Sequence, residues 1–304
     1  MGKEFYLPNG TRANVKSISF FDSGNIQHIV LTQDSKLFIT LPNTKMVKPT
    51  ELGYDEEGNI NFVKLNKDEI VILNLPGKDK RKIRTTEIGF DKKGNFTHFK
   101  LPYGDKIDIE LPNKTHVKVH EITYYNTGEI KNAILSNGEY IFINNEKILI
   151  KRISFYITGQ IKKISFILGE SINLYENIVF PKEIEYYENG EIKSLLLKYN
   201  ESLSLAIPKT KEKVKIYSIS FYSSTDIQEI KLLQGETITL PNGRKAGVSN
   251  ILFDEYGNII EVKMYDGEIR DFKNNGNHTN KNMQEKGCII HYNREKLYLN
   301  NDNN

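Results

Sequence analysis

The strongest constraint on this chain is a repeat that runs through almost all of it. The stretch ISFFDSGNIQHIVL (18–31) recurs as LGYDEEGNINFVKL, IGFDKKGNFTHFKL, ITYYNTGEIKNAIL, ISFYITGQIKKISF, IEYYENGEIKSLLL, ISFYSSTDIQEIKL and ILFDEYGNIIEVKM. Each copy centres on a hub glycine, Gly24, Gly58, Gly94, Gly128, Gly159, Gly190 or Gly257, and Thr225 takes that place in the seventh. Successive hubs lie 34, 36, 34, 31, 31, 35 and 32 residues apart. Self-similarity at such a period marks a stack of supersecondary units, none of which buries its apolar face alone.

Each copy has the pattern of a β-hairpin. An apolar residue six before the hub (Ile18, Leu52, Ile88, Ile122, Ile153, Ile184, Ile219, Ile251) is followed two residues later by an aromatic. That aromatic is Phe20, Tyr54, Phe90, Tyr124, Phe155, Tyr186, Phe221 or Phe253. A spacing of two puts both on one face of a strand. The hub glycine supplies the positive φ that closes a short hairpin loop with a bulge, so Thr225 is expected to be strained. The returning strand should set Ile26, Ile60, Phe96, Ile130, Ile161, Ile192, Ile227 and Ile259 opposite the aromatic.

A second hairpin fills the rest of the period. Its turn is written LPNG at 7–10 and 240–243 and LPN at 41–43 and 111–113, and six prolines (Pro8, Pro42, Pro76, Pro112, Pro208, Pro241) share the slot. Proline there fixes φ for a turn and ends the strand before it. The unit is therefore about four short strands with no room for a helix. Composition agrees: the chain has only four alanines (Ala13, Ala133, Ala206, Ala246) and no tryptophan, against many Ile, Tyr, Phe and Asn.

These features predict an all-β tandem repeat forming an elongated antiparallel array over residues 1–272, with incomplete first and last units. The alternative is a closed β-propeller, although the unit is shorter than the about 40–45 residues of a WD40 blade. Residues 273–287, rich in Asn, Lys and Gly, are expected to be a polar linker, and 288–304 a tail or degenerate cap.

YYENGEIKSLLL (186–197) and YYNTGEIKNAIL (124–135) resemble the hairpins of MORN-variant repeats, as in YwqK-type bacterial antitoxin proteins. YDEEGNI, FDKKGNF and FDEYGNI also resemble the YD repeats of Rhs-type shell proteins. The first resemblance implies a sheet that scaffolds or binds partners and carries no catalytic residues. The second implies a structural shell or stalk fragment of a larger surface or toxin-associated polypeptide, an alternative to which the chain's start in mid-unit also points.

The candidate binding surface is a tyrosine row. Three residues before the hub stand Tyr125, Tyr156, Tyr187 and Tyr222, with Phe21 in the first copy, and three residues after it stand Lys131, Lys162 and Lys193. By strand alternation this slot faces away from the core positions. Stacked along the sheet, the row would form an aromatic and cationic stripe for a protein partner, with a glycan or a nucleic acid as alternative ligands. The competing explanation is a ladder that packs on itself, lysine stems covering the rings. A net charge of +3 gives no electrostatic footprint for nucleic acid.

Other residues have bland explanations. Asp55, Asp91 and Asp254, in D-x-x-G-N, are suited to bonding their own turn rather than calcium. His28 and His98 share one slot two copies apart, and His116 and His120 are too far apart on a strand to chelate one ion. Cys288 is the single cysteine, and His278 and His291 have no ligand spacing around them. Paired acids and nucleotide-binding or hydrolase motifs are absent, so no enzyme, cofactor or metal is expected. The N-terminus lacks an apolar h-region and no stretch approaches the about 20 apolar residues of a membrane span, so the expected location is cytoplasmic.

Overall fold

The computed structural model describes residues 3–272 apart from the short stretches 42–45, 67–68, 76–79, 144–145, 175–176 and 211. Pro42, Pro76, the linker at 273–287 and the tail with Cys288, His278 and His291 lie outside the described residues. Every regular element described is a β-strand. No helix among the described residues is long and apolar enough to cross a membrane. The chain separates into two units, 1–139 with 154–159, and 140–153 with 160–304.

In the first unit the hub hairpins lie edge to edge in one antiparallel ladder. Its strands follow the chain: Arg12–Phe20, Ile26–Leu31, Pro49–Tyr54, Ile60–Leu65, Glu87–Phe90, Phe96–Lys100, His116–Tyr124 and Ile130–Leu135. The second unit repeats the arrangement through Ile161–Phe166, Pro181–Tyr186, Ile192–Leu197, Lys213–Phe221, Ile227–Leu232, Lys245–Phe253, Ile259–Met264 and Ile269–Asp271. Within each unit, no pairing among the described residues joins the first strand of the ladder to its last. The fold is therefore an open hairpin array and not a propeller. Propeller blades are separate sheets, whereas here each returning strand bonds to the outgoing strand of the next copy.

The expected hairpin register is present copy by copy. Phe20 pairs with Ile26, Tyr54 with Ile60, Phe90 with Phe96, Tyr124 with Ile130, Tyr186 with Ile192, Phe221 with Ile227 and Phe253 with Ile259, each beside a register shift. The hub residues carry the positive φ that this loop demands, from 76° at Gly94 to 99° at Gly128, and Thr225 is forced to 75°.

One difference from the four-strand expectation is instructive. In five copies the strand after the LPNG turn and the strand before the hub are a single long strand: Arg12–Phe20, His116–Tyr124, Glu146–Phe155, Lys213–Phe221 and Lys245–Phe253. Its first half pairs with the short strand of the LPNG hairpin and its second half with the preceding copy, as in His116–Val119 on Ile107–Glu110 and Glu121–Thr123 on His98–Lys100. A bulge at the changeover, such as that between Val119 and Glu121, shifts the inward face by one residue. The buried positions then run Val117, Val119, Ile122, Tyr124, with a gap of three in the middle. A strict alternation would have turned half of these side chains to solvent.

The inner face is closely filled. In the first unit Ile29, Leu52, Val63, Ile88, Phe99 and Ala133 have no exposed surface, and in the second Ile184, Ile230, Ile251 and Val262 have none. Each buried branched side chain contributes about 1.5–3 kcal/mol. Burial also pushes the Tyr54 hydroxyl up to about 12, which keeps this core ring neutral.

Both hairpin turns use one chemistry. At LPNG, Gly10 donates to Leu7 O (2.8 Å) and Leu7 to Thr11 O (2.9 Å), as Gly24 does to Phe21 O (2.9 Å) and Phe21 to Asn25 O (2.8 Å) at the hub. The proline of one copy packs toward the hub of the next. A Cβ on Gly159 would sit 3.2 Å from Pro112 Cβ, and one on Gly257 3.2 Å from Pro208 Cβ.

Candidate functional site

The tyrosine row opens the hub turn. Tyr125, Tyr187 and Tyr222 each donate their backbone N–H at 2.8 Å to the residue four ahead, and their carbonyls accept the hub N–H at 2.9–3.0 Å. The backbone under each ring is thereby fixed. The rings are half-buried, and their hydroxyls reach into the next copy. Tyr125 donates to Phe155 O (2.9 Å), Tyr187 to Phe221 O (2.7 Å) and Tyr222 to Phe253 O (2.7 Å). Each acceptor is the carbonyl of the following copy's core aromatic. Desolvation, with Glu255 and Asp254 nearby, raises the Tyr222 hydroxyl above its ordinary value and favours the neutral donor.

Lys131 and Lys193 stand beside rings of the row. Lys131 Nζ lies 5.5 Å from the centre of the Tyr125 ring and Lys193 Nζ 6.0 Å from that of Tyr187, within reach of a cation–π attraction. Lys193 also pairs with Glu185 at 3.3 Å. Lys131 and Lys162 lie at exposed positions. Tyr156 is half-buried in the same slot, its carbonyl accepting from Gly159 N (2.9 Å). Phe21 is half-buried and has no hydroxyl to form the bond to the next copy. The row is thus a set of cross-copy latches whose outward edges carry lysines, combining features that the sequence set against each other.

The aspartates are engaged by their own turns. Asp254 Oδ1 accepts from Tyr256 N (2.9 Å) and Asn258 N (2.8 Å), and Oδ2 from Asn258 Nδ2 (2.7 Å). Asp55 and Asp91 repeat this set with Asn59 and Asn95. Partial desolvation opposes ionisation of these carboxyls, but the donated hydrogen bonds together hold them below the usual carboxylate range. Among the described residues, no group of three His, Cys, Asp or Glu side chains is placed to hold a metal ion.

His28 and His98 belong to a ladder of polar cross-strand contacts on the outer face. His28 Nε2 is 3.3 Å from Glu51, and His98 Nε2 is 4.0 Å from Glu87 with Nδ1 3.3 Å from Thr123 Oγ1. Lys163 with Glu183 (2.5 Å) and Lys100 with Glu121 (3.9 Å) continue the same cross-strand pattern.

Sequence reasoning missed a third turn with its own latch. Gly104, Gly138, Gly169, Asn200 and Gly235 have positive φ and are followed by Asp105, Glu139, Glu170, Glu201 and Glu236. Three of these acids accept a backbone N–H from 21 residues earlier: Glu139 from Lys118 (2.9 Å), Glu170 from Leu149 (3.2 Å) and Glu236 from Lys215 (3.1 Å). Asp105 instead takes a two-pronged contact from Arg84 (2.7 and 2.6 Å). The recurring Gly-Glu or Gly-Asp pair was the available signal.

A shallow groove in the second unit lies between Pro208, Lys209, Pro241 and Gly257. Its carboxylate, Glu212, is taken by Thr239 N (2.9 Å) and Oγ1 (2.5 Å), so the groove presents no reactive group of its own from that side chain.

Against known proteins, no family model matches the chain. No curated protein matches it either. Among solved structures it is similar to that of TcdB2-TccC3-TEV at 12% identity, over 87% of this chain and 16% of that one, with a TM-score of 0.13. The chain thus spans under a fifth of the length of that structure's chain, and a likeness of this size carries no argument.

Proposed function

We propose that the protein is a non-catalytic binding or scaffolding module whose Tyr–Lys row contacts a protein partner. The observation that supports this reading is the double fixation of the row. Backbone bonds hold each turn, hydroxyl bonds hold Tyr125, Tyr187 and Tyr222, and Lys131 and Lys193 stand over their rings. Side chains held in place before binding lose little entropy on contact, which favours recognition. An antitoxin-like role, in the manner of MORN-variant proteins, and a structural shell role remain the two settings for such a module.

The test separates binding from latching. Lys131→Gln, Lys162→Gln and Lys193→Gln combined remove the cations and leave every tyrosine hydroxyl in place. In a pull-down from native lysate, the triple variant should lose a partner that the wild type retains, at an unchanged melting temperature. Capture of the same proteins by both would contradict the assignment of the row.

A further inference from the structure

The joints between copies share one register, and the hub hairpin at Gly24 shows one side of it unpaired among the described residues. At six joints among the described residues, the residues four, five and six after one hub pair with those five, six and seven before the next. Examples are His28–Val30 on Glu51–Gly53 and Ser194–Leu196 on Ser218–Ser220. Counted from Gly24, the receiving residues of the first copy are Ser17, Ile18 and Ser19. They pair with Ile26–Leu31 on one side, and no described strand pairs with them on the other.

The side chains at this edge are correspondingly exposed. Phe20 is 51% exposed, whereas its counterparts Tyr54, Phe90, Tyr124, Phe155, Tyr186, Phe221 and Phe253 are at most 6% exposed. Ile18 is half-buried where the equivalent residues are buried. Within the second unit, the last described strand is built differently. Ile269–Asp271 pairs with Glu261–Lys263, the same three slots, and puts Arg270 where the other copies have Leu or Ile. Arg270 is held by Glu268 at 2.9 and 3.1 Å. Charge at that slot protects an edge, and Ser17–Ile18–Ser19 has none.

The chain itself identifies the strand that such an edge accepts. Ser17–Ile18–Ser19–Phe20 is identical in sequence to Ser218–Ile219–Ser220–Phe221. On the latter lies Ile192–Leu197, IKSLLL, with Leu195 opposite Ile219, and there Ile219 and Phe221 are 3% and 5% exposed. At other joints the residue seven before the hub makes a polar bond across, as Glu51 does to His28 and Glu183 to Lys163, but Ser17 offers no charge to match. We infer that Ser17–Ser19 is a strand-addition site for an extended segment of another polypeptide, laid antiparallel, with an apolar residue facing Ile18 and uncharged residues beside it. This site is separate from the Tyr–Lys row and does not depend on it.

The probe is a fluorescein-labelled peptide of the sequence Glu191–Lys198, EIKSLLLK, titrated against the full chain. Saturable binding is expected, weakened about tenfold or more by Ile18→Lys and by lysine in place of the peptide's first leucine, the counterpart of Leu195. The lysine variants of the row should bind the peptide as the wild type does. Hydrogen exchange supplies a readout independent of that variant's folding: the amides of Ser17–Phe20 in the wild type should slow on adding peptide. Absence of saturation, binding indifferent to Ile18→Lys, or self-association that Ile18→Lys abolishes while no peptide binds would each overturn the inference, the last by making a second copy the occupant.

Discussion

At the scale of single residues, the hub position offers a direct comparison. Thr225 holds φ at 75°, a conformation that costs a β-branched residue about 1–2 kcal/mol, while seven other copies use glycine. Thr225→Gly should therefore raise stability by about 1 kcal/mol, read as an increase in thermal midpoint. Gly159→Val should do the reverse, because φ is +87° and the new Cβ meets Pro112 Cβ at 3.2 Å. Tyr187→Phe keeps the ring and deletes the bond to Phe221 O, so it should cost about 1 kcal/mol. Titration follows from the turn aspartates. Their folded carboxyls lie below the ordinary value of 3.8, so the unfolded chain binds more protons as pH falls. Their contribution is complete above about pH 4 and fades below it as pH passes through the folded values. Asp254→Ala should flatten that acid limb in a series of denaturant melts. His98 acts in the same direction higher up. Desolvation lowers it from 6.5 despite Glu121 and Glu87, so it favours the fold above that value and less below it.

At the scale of elements, what the sequence revealed and what it hid divide on a physical line. The hub hairpin was legible because glycine at positive φ and period-2 spacing are local properties, and Phe90 opposite Phe96 or Tyr124 opposite Ile130 followed from them. The bulge between Val119 and Glu121 was not legible, since one long strand serving two partners is set by the partners and not by its own residues. The tyrosine latch escaped for a similar reason: strand alternation places Tyr187 on the outer face, but cannot show that its hydroxyl reaches Phe221 O in the next copy. The acid after the third turn is a further cross-element bond. Glu170→Ala leaves Leu149 N without the carboxylate it donates to, so it should cost about 1–2 kcal/mol and speed exchange of that amide before the rest of the second unit.

At the scale of the whole molecule, the repeat replaces one large core by a succession of similar joints, each using the same three-residue register within its unit. Stability in such an array is a sum over copies and neighbours. The function proposed for it rests on side chains presented at repeat spacing, so it requires that the copies be interchangeable modules. The direct measurement is to excise residues 59–94, one hub-to-hub period, joining Gly58 to Asn95, and to follow denaturant unfolding. If the copies are modules, the shortened chain stays soluble and all-β, and its unfolding slope falls in proportion to the surface removed. A shortened chain that fails to fold, or precipitates, would contradict the modular account.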